Sequence, residues 1–189
     1  MPFIVIYDAC VLFPAPLRDL LIRIAGTGVV RARWTETILD ECFRTILEQR
    51  PDLTPERLAR TRFLMNKAIP DCLVTGYEDL IASLHLPDQN DRHVLAAAIR
   101  AGAQSIVTFN LKDFPDQALS QYGIEAKHPD AFVLESLHLA PIAVCTAIRA
   151  QAETLRNPPL SSDALLGTLQ QQGLPLSVAQ LRKLLGTSL

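Results

Sequence analysis

FIVIYDACVLFP, residues 3–14, runs five apolar or aromatic residues into a single aspartate, Asp8, and then meets Pro14 and Pro16. So short a run, rich in β-branched and aromatic side chains, reads as a strand, and its lack of polar alternation suits a strand covered on both faces. VVRAR (29–33), CLVTG (72–76) and SIVTF (105–109) read the same way, and IEAKH (124–128) adds a last short strand. Amphipathic stretches fill the gaps: LRDLLIRIAGTG (17–28), ETILDECFRTILEQR (36–50), TPERLARTRFLMNKAI (54–69) and DRHVLAAAIRAG (91–102). Strands alternating with helices pair in parallel, because parallel neighbours need a crossover, so the expected fold class is α/β with a central parallel sheet. Ligand sites in such sheets lie at the carboxyl ends of the strands, where Asp8 is delivered. Its competing role is to cap the next helix, but the two prolines place that helix several residues later, which favours a functional acid.

The whole chain sets the bounds. Its 189 residues, 49% hydrophobic, can bury a full core and suit one domain with an appendage. The 18 Lys plus Arg nearly balance the 20 Asp plus Glu, so a nucleic-acid partner would have to be held by a local basic surface. Cys10, Cys42, Cys72 and Cys145 lie far apart, with no C-x-x-C pair and no histidine at zinc spacing, and read as reduced thiols. No basic leader precedes Asp8 and no apolar run approaches the roughly 18 residues of a membrane span, so a cytoplasmic protein without a membrane partner is expected. Near the C-terminus RNPPL (156–160) breaks the helical pattern, and SSDALLGTLQQQG and SVAQLRKLLG behind it read as a helical hairpin. The expected division is residues 1–138 as the α/β domain and 139–189 as a helical extension. Residues 157–189 carry only Asp163, Arg182 and Lys183 as charged side chains, too few for an independent site, so the extension reads as a packing or partner-binding element.

Further acids fall in matching places. In LPDQNDRHVLAAAIRAG, Asp88 can cap the helix, while Asp91 shares a stripe with Leu95 and Ala98 and so faces the sheet. In the 36–50 helix Ile38, Leu39, Cys42, Phe43, Ile46 and Leu47 form the apolar face, and Asp40 and Glu41 flank it, with periodicity leaning to Asp40. The fourth strand enters a loop holding Thr108, Asn110, Lys112 and Asp113. Carboxylates gathered at one sheet edge repel each other by about 4 kcal/mol per pair at ~4 Å and an effective dielectric near 20, so they gather stably around a cation. All-oxygen donors select a hard ion, Mg²⁺ or Mn²⁺, which can acidify a water and clamp a phosphate.

YDACVL, then DE within a helix, then DRHVLAAAI, then VTFNLKDF, in that order and at these intervals, resemble the PIN-domain nucleases, and more closely the VapC-like toxins of bacterial type II toxin–antitoxin pairs. The similarity covers about residues 3–135. It implies a three-layer α/β/α sandwich whose acids hold Mg²⁺ or Mn²⁺ for cleavage of RNA, with an RNA substrate, a cognate antitoxin protein and room for a homodimer. By position it makes Asp8, Glu41 and Asp91 the metal-binding acids, overriding the lean to Asp40, and leaves Asp113 as a further one. Where many members carry a fourth acid two residues after the threonine, this chain has Asn110, which leaves Asp88 and Asp113 as candidate substitutes. Thr108 or Asn110 would orient a water, and Arg92, His93 and Lys112 would flank the RNA phosphates. Arg57, Arg60, Arg62 and Lys67 read better as a solvated helix face than as a binding stripe. A haloacid-dehalogenase-type phosphotransferase also begins with an aspartate after its first strand, but needs a second acid where this chain has Cys10. The stronger rival is a noncatalytic PIN-like module that binds RNA or a protein.

Overall fold

A computed structural model describes residues 3–155 and 160–186. Strand β1 (Phe3–Tyr7) lies inside a four-stranded, all-parallel sheet of order β2-β1-β3-β4, with β2 Val30–Arg33, β3 Ser105–Val107 and β4 Glu125–Lys127. β1 pairs with β2 from Phe3↔Val30 to Ile6↔Arg33 and with β3 from Val5↔Ser105 to Tyr7↔Val107, and β4 continues from β3. Val5, Ile6 and Tyr7 of β1 and all three residues of β3 are buried, which explains why these strands are apolar but for Ser105.

The run CLVTG does not become a strand. Asp71, in the left-handed region at φ 55, and Gly76 at φ 70 bracket it tightly, and only Leu73 meets the sheet, as an isolated parallel bridge to Trp34 just beyond β2.

Helices flank the sheet. A one-turn helix, α1 (Ala9–Leu12), follows β1 directly, and α2 (Ala15–Gly26) starts at the prolines, with Pro14 at its N-cap and Pro16 in its first turn. The second crossover holds α3 (Glu36–Gln49), capped by Thr35, α4 (Pro55–Ala68), capped by Thr54, the short α5 (Glu78–Ile81) and α6 (Arg92–Ala101), which ends at Gly102 with φ 62. A short α7 (Asp116–Leu119) leads to β4. α6 packs against β1 and β3. Tyr7 donates its hydroxyl to the Leu21 carbonyl of α2, stacks on Trp34, and meets Phe132 edge-on.

Phe132 belongs to α8 (Pro129–Leu139), which is followed by α9 (Pro141–Thr154), α10 (Ser162–Gln171) and α11 (Pro175–Gly186). The last two form the expected hairpin; the RNPPL break lies, apart from Leu160, outside the described residues. Leu165, Leu166, Leu169, Leu174, Val178 and Leu181 join the same apolar core as the sheet. Asp130 locks them there: its buried carboxylate accepts from the backbone N–H groups of Leu176 (2.9 Å) and Ser177 (2.8 Å), capping α11 from another helix, while the Ser177 hydroxyl donates to the Asp130 carbonyl at 2.7 Å. Among the described residues no single helix is long and apolar enough to cross a membrane.

Candidate active site

Asp8 both caps a helix and faces a cavity. Its Oδ1 accepts the Ala9 N–H at 2.7 Å, starting α1 at once and not several residues later as the prolines suggested. Its Oδ2 accepts the Thr108 hydroxyl at 2.8 Å and the Cys10 thiol at 3.2 Å. Thr108 is fully buried just past β3, where it also accepts the Asn110 N–H at 3.0 Å, and the Phe109 N–H points at Cys10 Sγ. Burial, with the Asp8 charge adding to it, pushes the Cys10 thiol up to about 12, so it stays protonated and serves as a donor. The ends of β1 and β3 are thus sewn together around one carboxylate.

Asp8, Glu41, Asp91 and Asn110 all wall one cavity of about 380 Å³, together with Cys10, Phe13, Arg44 and Gln49. Glu41 reaches it from α3. Asp40 does not; it is 2.5 Å from Arg62, which also pairs with Glu36, so that acid ties α3 to α4. Asp88 accepts the Asn90 N–H at 2.8 Å and caps the 3₁₀ turn before α6, which frees Asp91 from capping work. Burial, then the charges of Asp8, Asp88 and Asp113, raise the Asp91 carboxyl to about 6, while His93 opposes them. Asp113, on the next 3₁₀ turn, is not among the cavity walls yet lies near enough to act on Asp91. His93 is buried with Nε2 3.0 Å from Glu41 Oε1, but its N–H is not aimed for a hydrogen bond, so the contact is an ion pair only when the ring is protonated. So deep a ring supports Glu41 and does not meet a substrate. Arg92 donates to the Gln89 carbonyl, and Lys112 is exposed.

A roomier cavity of about 460 Å³ opens among Ile22, Leu64, Met65 and Leu155, but its one acid, Asp19, is paired with Arg23 at 3.0 Å. Charge, not size, marks the site.

The raised Asp91 has a measurable consequence in the metal-free protein. Its folded value lies above the unfolded value near 3.9, so its contribution to stability is full below about pH 4 and is lost as pH rises through about 6. The unfolding midpoint of wild type relative to Asp91→Asn should therefore fall across that window. Parallel pH profiles for the two proteins would assign the raised group elsewhere.

Among the described residues no three His, Cys, Asp or Glu side chains form a ready cage for an ion. Mg²⁺ and its analogues need none, since they keep several waters and bind through one or two carboxylates plus a substrate phosphate, and oxygen donors around unbalanced negative charge suit such an ion.

The parallel sheet and its flanking helices agree with the comparisons. A PIN-domain family model matches residues 4–112. The chain belongs to the PIN-domain family. A second family model, described as the VapC50 C-terminal domain, matches residues 129–183. A protein of Mycobacterium tuberculosis named as a candidate ribonuclease, VapC50, is 45% identical over 109 residues, which are 58% of this chain and 63% of that protein. No solved structure gives a significant match.

Within this PIN domain, sequence reasoning brought Asp8, Glu41, Asp91 and Asn110 to one place and passed over Cys10, Phe13, Arg44 and Gln49. Arg44 had a legible signal, since it follows Glu41 by three positions on one helix and must share its face. Phe13 had none, because its placement depends on the α1–α2 corner.

Proposed function

We propose that this PIN-domain chain is a metal-dependent ribonuclease that hydrolyses RNA phosphodiester bonds, and that it is the toxin of a type II toxin–antitoxin pair. The observation that carries the reading is the convergence of Asp8, Glu41 and Asp91 on one cavity at the strand ends. The 45% identity to a protein named as a candidate ribonuclease supports it. Residues 1–138 would form the nuclease domain and 139–189 its helical extension.

Asp8, Asp91 and Glu41 would hold Mg²⁺ or Mn²⁺, with Asp113 adding charge from the adjoining turn. When bound, such an ion supplies an acidified water and positive charge at the scissile phosphate. The chain's own residues do the rest. Thr108 and the Ala9 N–H fix both oxygens of Asp8, so the carboxylate need not reorganise during the reaction. His93 backs Glu41, and the Asn110 amide can orient a water by hydrogen bonding.

The noncatalytic alternative draws on Asn110, which leaves the cluster one charge short. RNA cleavage by the purified protein in Mn²⁺, absent in EDTA, supports the enzyme; RNA binding without cleavage in any divalent ion supports the alternative. The toxin role predicts a small partner that places a basic side chain among the acids. Expression that leaves growth unaffected, with no neighbouring gene product binding, would remove that role while leaving the nuclease.

An amide oxygen ligates Mg²⁺ without charge, so Asn110→Asp should tighten Mn²⁺ binding by about tenfold and lower metal-free stability through repulsion with Asp8 and Asp91. Asp113→Asn should weaken Mn²⁺ binding by less, since Asp113 acts on the cavity from outside its walls. Calorimetric titration decides: unchanged affinity in Asn110→Asp would make Asn110 a turn residue only.

A further inference from the structure

The acid-lined cavity does not end at Arg44. A second cavity of about 400 Å³ shares two of its walls, Phe13 and Gln49, and continues along Pro14, Arg18, Arg50 and Gln172. Three features of this continuation point to one kind of occupant.

The first is charge. Arg44, one helical turn beyond Glu41, lines the acid cavity without an ion-pair partner among the described residues. Arg18 is committed to structure, donating to the Leu12 (2.7 Å) and Phe13 (3.3 Å) carbonyls and so fixing the corner that presents Phe13, while Arg50 pairs with Asp52 at 2.7 Å. A groove that turns from carboxylates to arginines within one helix suits an anionic chain, with cations bound at one end and phosphate held directly at the other.

The second is Phe13, a partly exposed ring on the wall common to both cavities. Aromatic faces at such a place take unstacked bases.

The third is Gln172, whose amide oxygen is buried with no hydrogen-bond partner among the described residues. A buried acceptor left without a donor costs about 1–3 kcal/mol, so a group that supplies a donor is favoured there. Rotation of the Gln172 side chain, which borders the second cavity, would turn this oxygen out of its buried position to accept from the exocyclic amine or imino N–H of a nucleobase. The turn that carries Gln172 is seated firmly: at the next position Gly173 has φ 95, and a Cβ there would lie 3.2 Å from the Phe109 ring.

We propose that this groove is a nucleotide subsite for single-stranded RNA beside the scissile phosphate. Arg44 holds the neighbouring phosphate, Phe13 stacks its base, and Gln172 reads the base edge, which brings the C-terminal extension into the substrate site. The inference rests on the ribonuclease reading for its substrate class. Duplex RNA is excluded because its paired, stacked bases cannot enter the second cavity.

The test uses the full-length Asp8→Asn protein, which cannot cut its ligand, and fluorescein-labelled oligoribonucleotides in single-stranded and duplex form. Single strands should bind at least tenfold tighter than duplex. Adding Arg44→Gln, Phe13→Leu or Gln172→Leu should each weaken single-strand binding by roughly fivefold or more, whereas Arg60→Gln, on the exposed face of α4, should not. Gln172→Leu in the otherwise wild-type enzyme should also shift the nucleotide preference at one position beside the cut, with Mn²⁺ affinity unchanged. If Phe13→Leu disturbs the corner, Gln172→Glu, which sets a charge against the RNA without loss of volume, makes the same comparison. Groove variants that bind like their parent overturn the subsite, and wild-type cleavage then judges the ribonuclease reading separately. Groove-dependent binding by a chain that never cleaves RNA upholds the subsite and overturns the ribonuclease reading. Failure of the Asp8→Asn protein to bind RNA at all overturns the subsite, and binding of a peptide there in its place would make the groove a protein-docking surface.

Discussion

Asp8→Asn is expected to reduce RNA cleavage about a thousandfold while leaving the fold intact. The change swaps one oxygen for an amide group at the point where β1 and β3 are joined. The remaining amide oxygen can still accept the Ala9 N–H and cap α1. The new amide nitrogen faces Thr108, which can turn its proton toward Cys10 Sγ, 3.3 Å away, and accept in place of donating. Folding therefore survives the exchange, and removal of one negative charge beside Asp91 relieves repulsion in the metal-free state. The combination separates a catalytic role from a structural one: cleavage lost with the unfolding midpoint unchanged or raised. A variant that still cleaves would remove Asp8 from the reaction, and one that unfolds would make its cap the dominant role.

Asp130→Ala carries the largest expected effect on stability, about 2–4 kcal/mol. The substitution strands the buried N–H groups of Leu176 and Ser177 and removes an anion from the start of α11. Asp130→Asn keeps one acceptor and should cost less than half as much. Urea unfolding of the three proteins tests the order. Equal stability of Asp130→Ala and wild type would mean that the apolar contacts of α11 hold the hairpin without the cap.

Residues whose neighbours in sequence settle their surroundings could be read correctly. β1 is apolar throughout and β3 all but Ser105 because both faces are covered, and α3 and α6 carry their apolar stripes openly. Asp91 declared itself as an acid on a core-facing stripe. Where the outcome depended on distant partners, the local signal misled. CLVTG has the composition of a strand, but its ends turn too sharply for more than one bridge. The prolines after Asp8 delayed α2 and left room for a one-turn helix too short to show periodicity. Asp40 and Glu41 are near equivalents on a helical wheel, and what parts them is Arg62, twenty-two residues away from Asp40. Gln172 carries no chemical signature in sequence; it gains one only when the hairpin folds back against Phe13 and Gln49.

The hydrogen bond from Thr108 to Asp8 joins residues 100 positions apart. A ribosome releases about 5–20 residues each second, so Asp8 leaves the exit tunnel roughly five to twenty seconds before the strand that will hold it. During that interval β1 has no β3 beside it, and neither Asp91 nor Asn110 is in place. An unfinished chain consequently holds no assembled acid site, and a truncated product ending before β3 never completes one. The long loop that slows folding also acts as a delay built into synthesis, so the acids meet only after the last of the strands that carry them has been made.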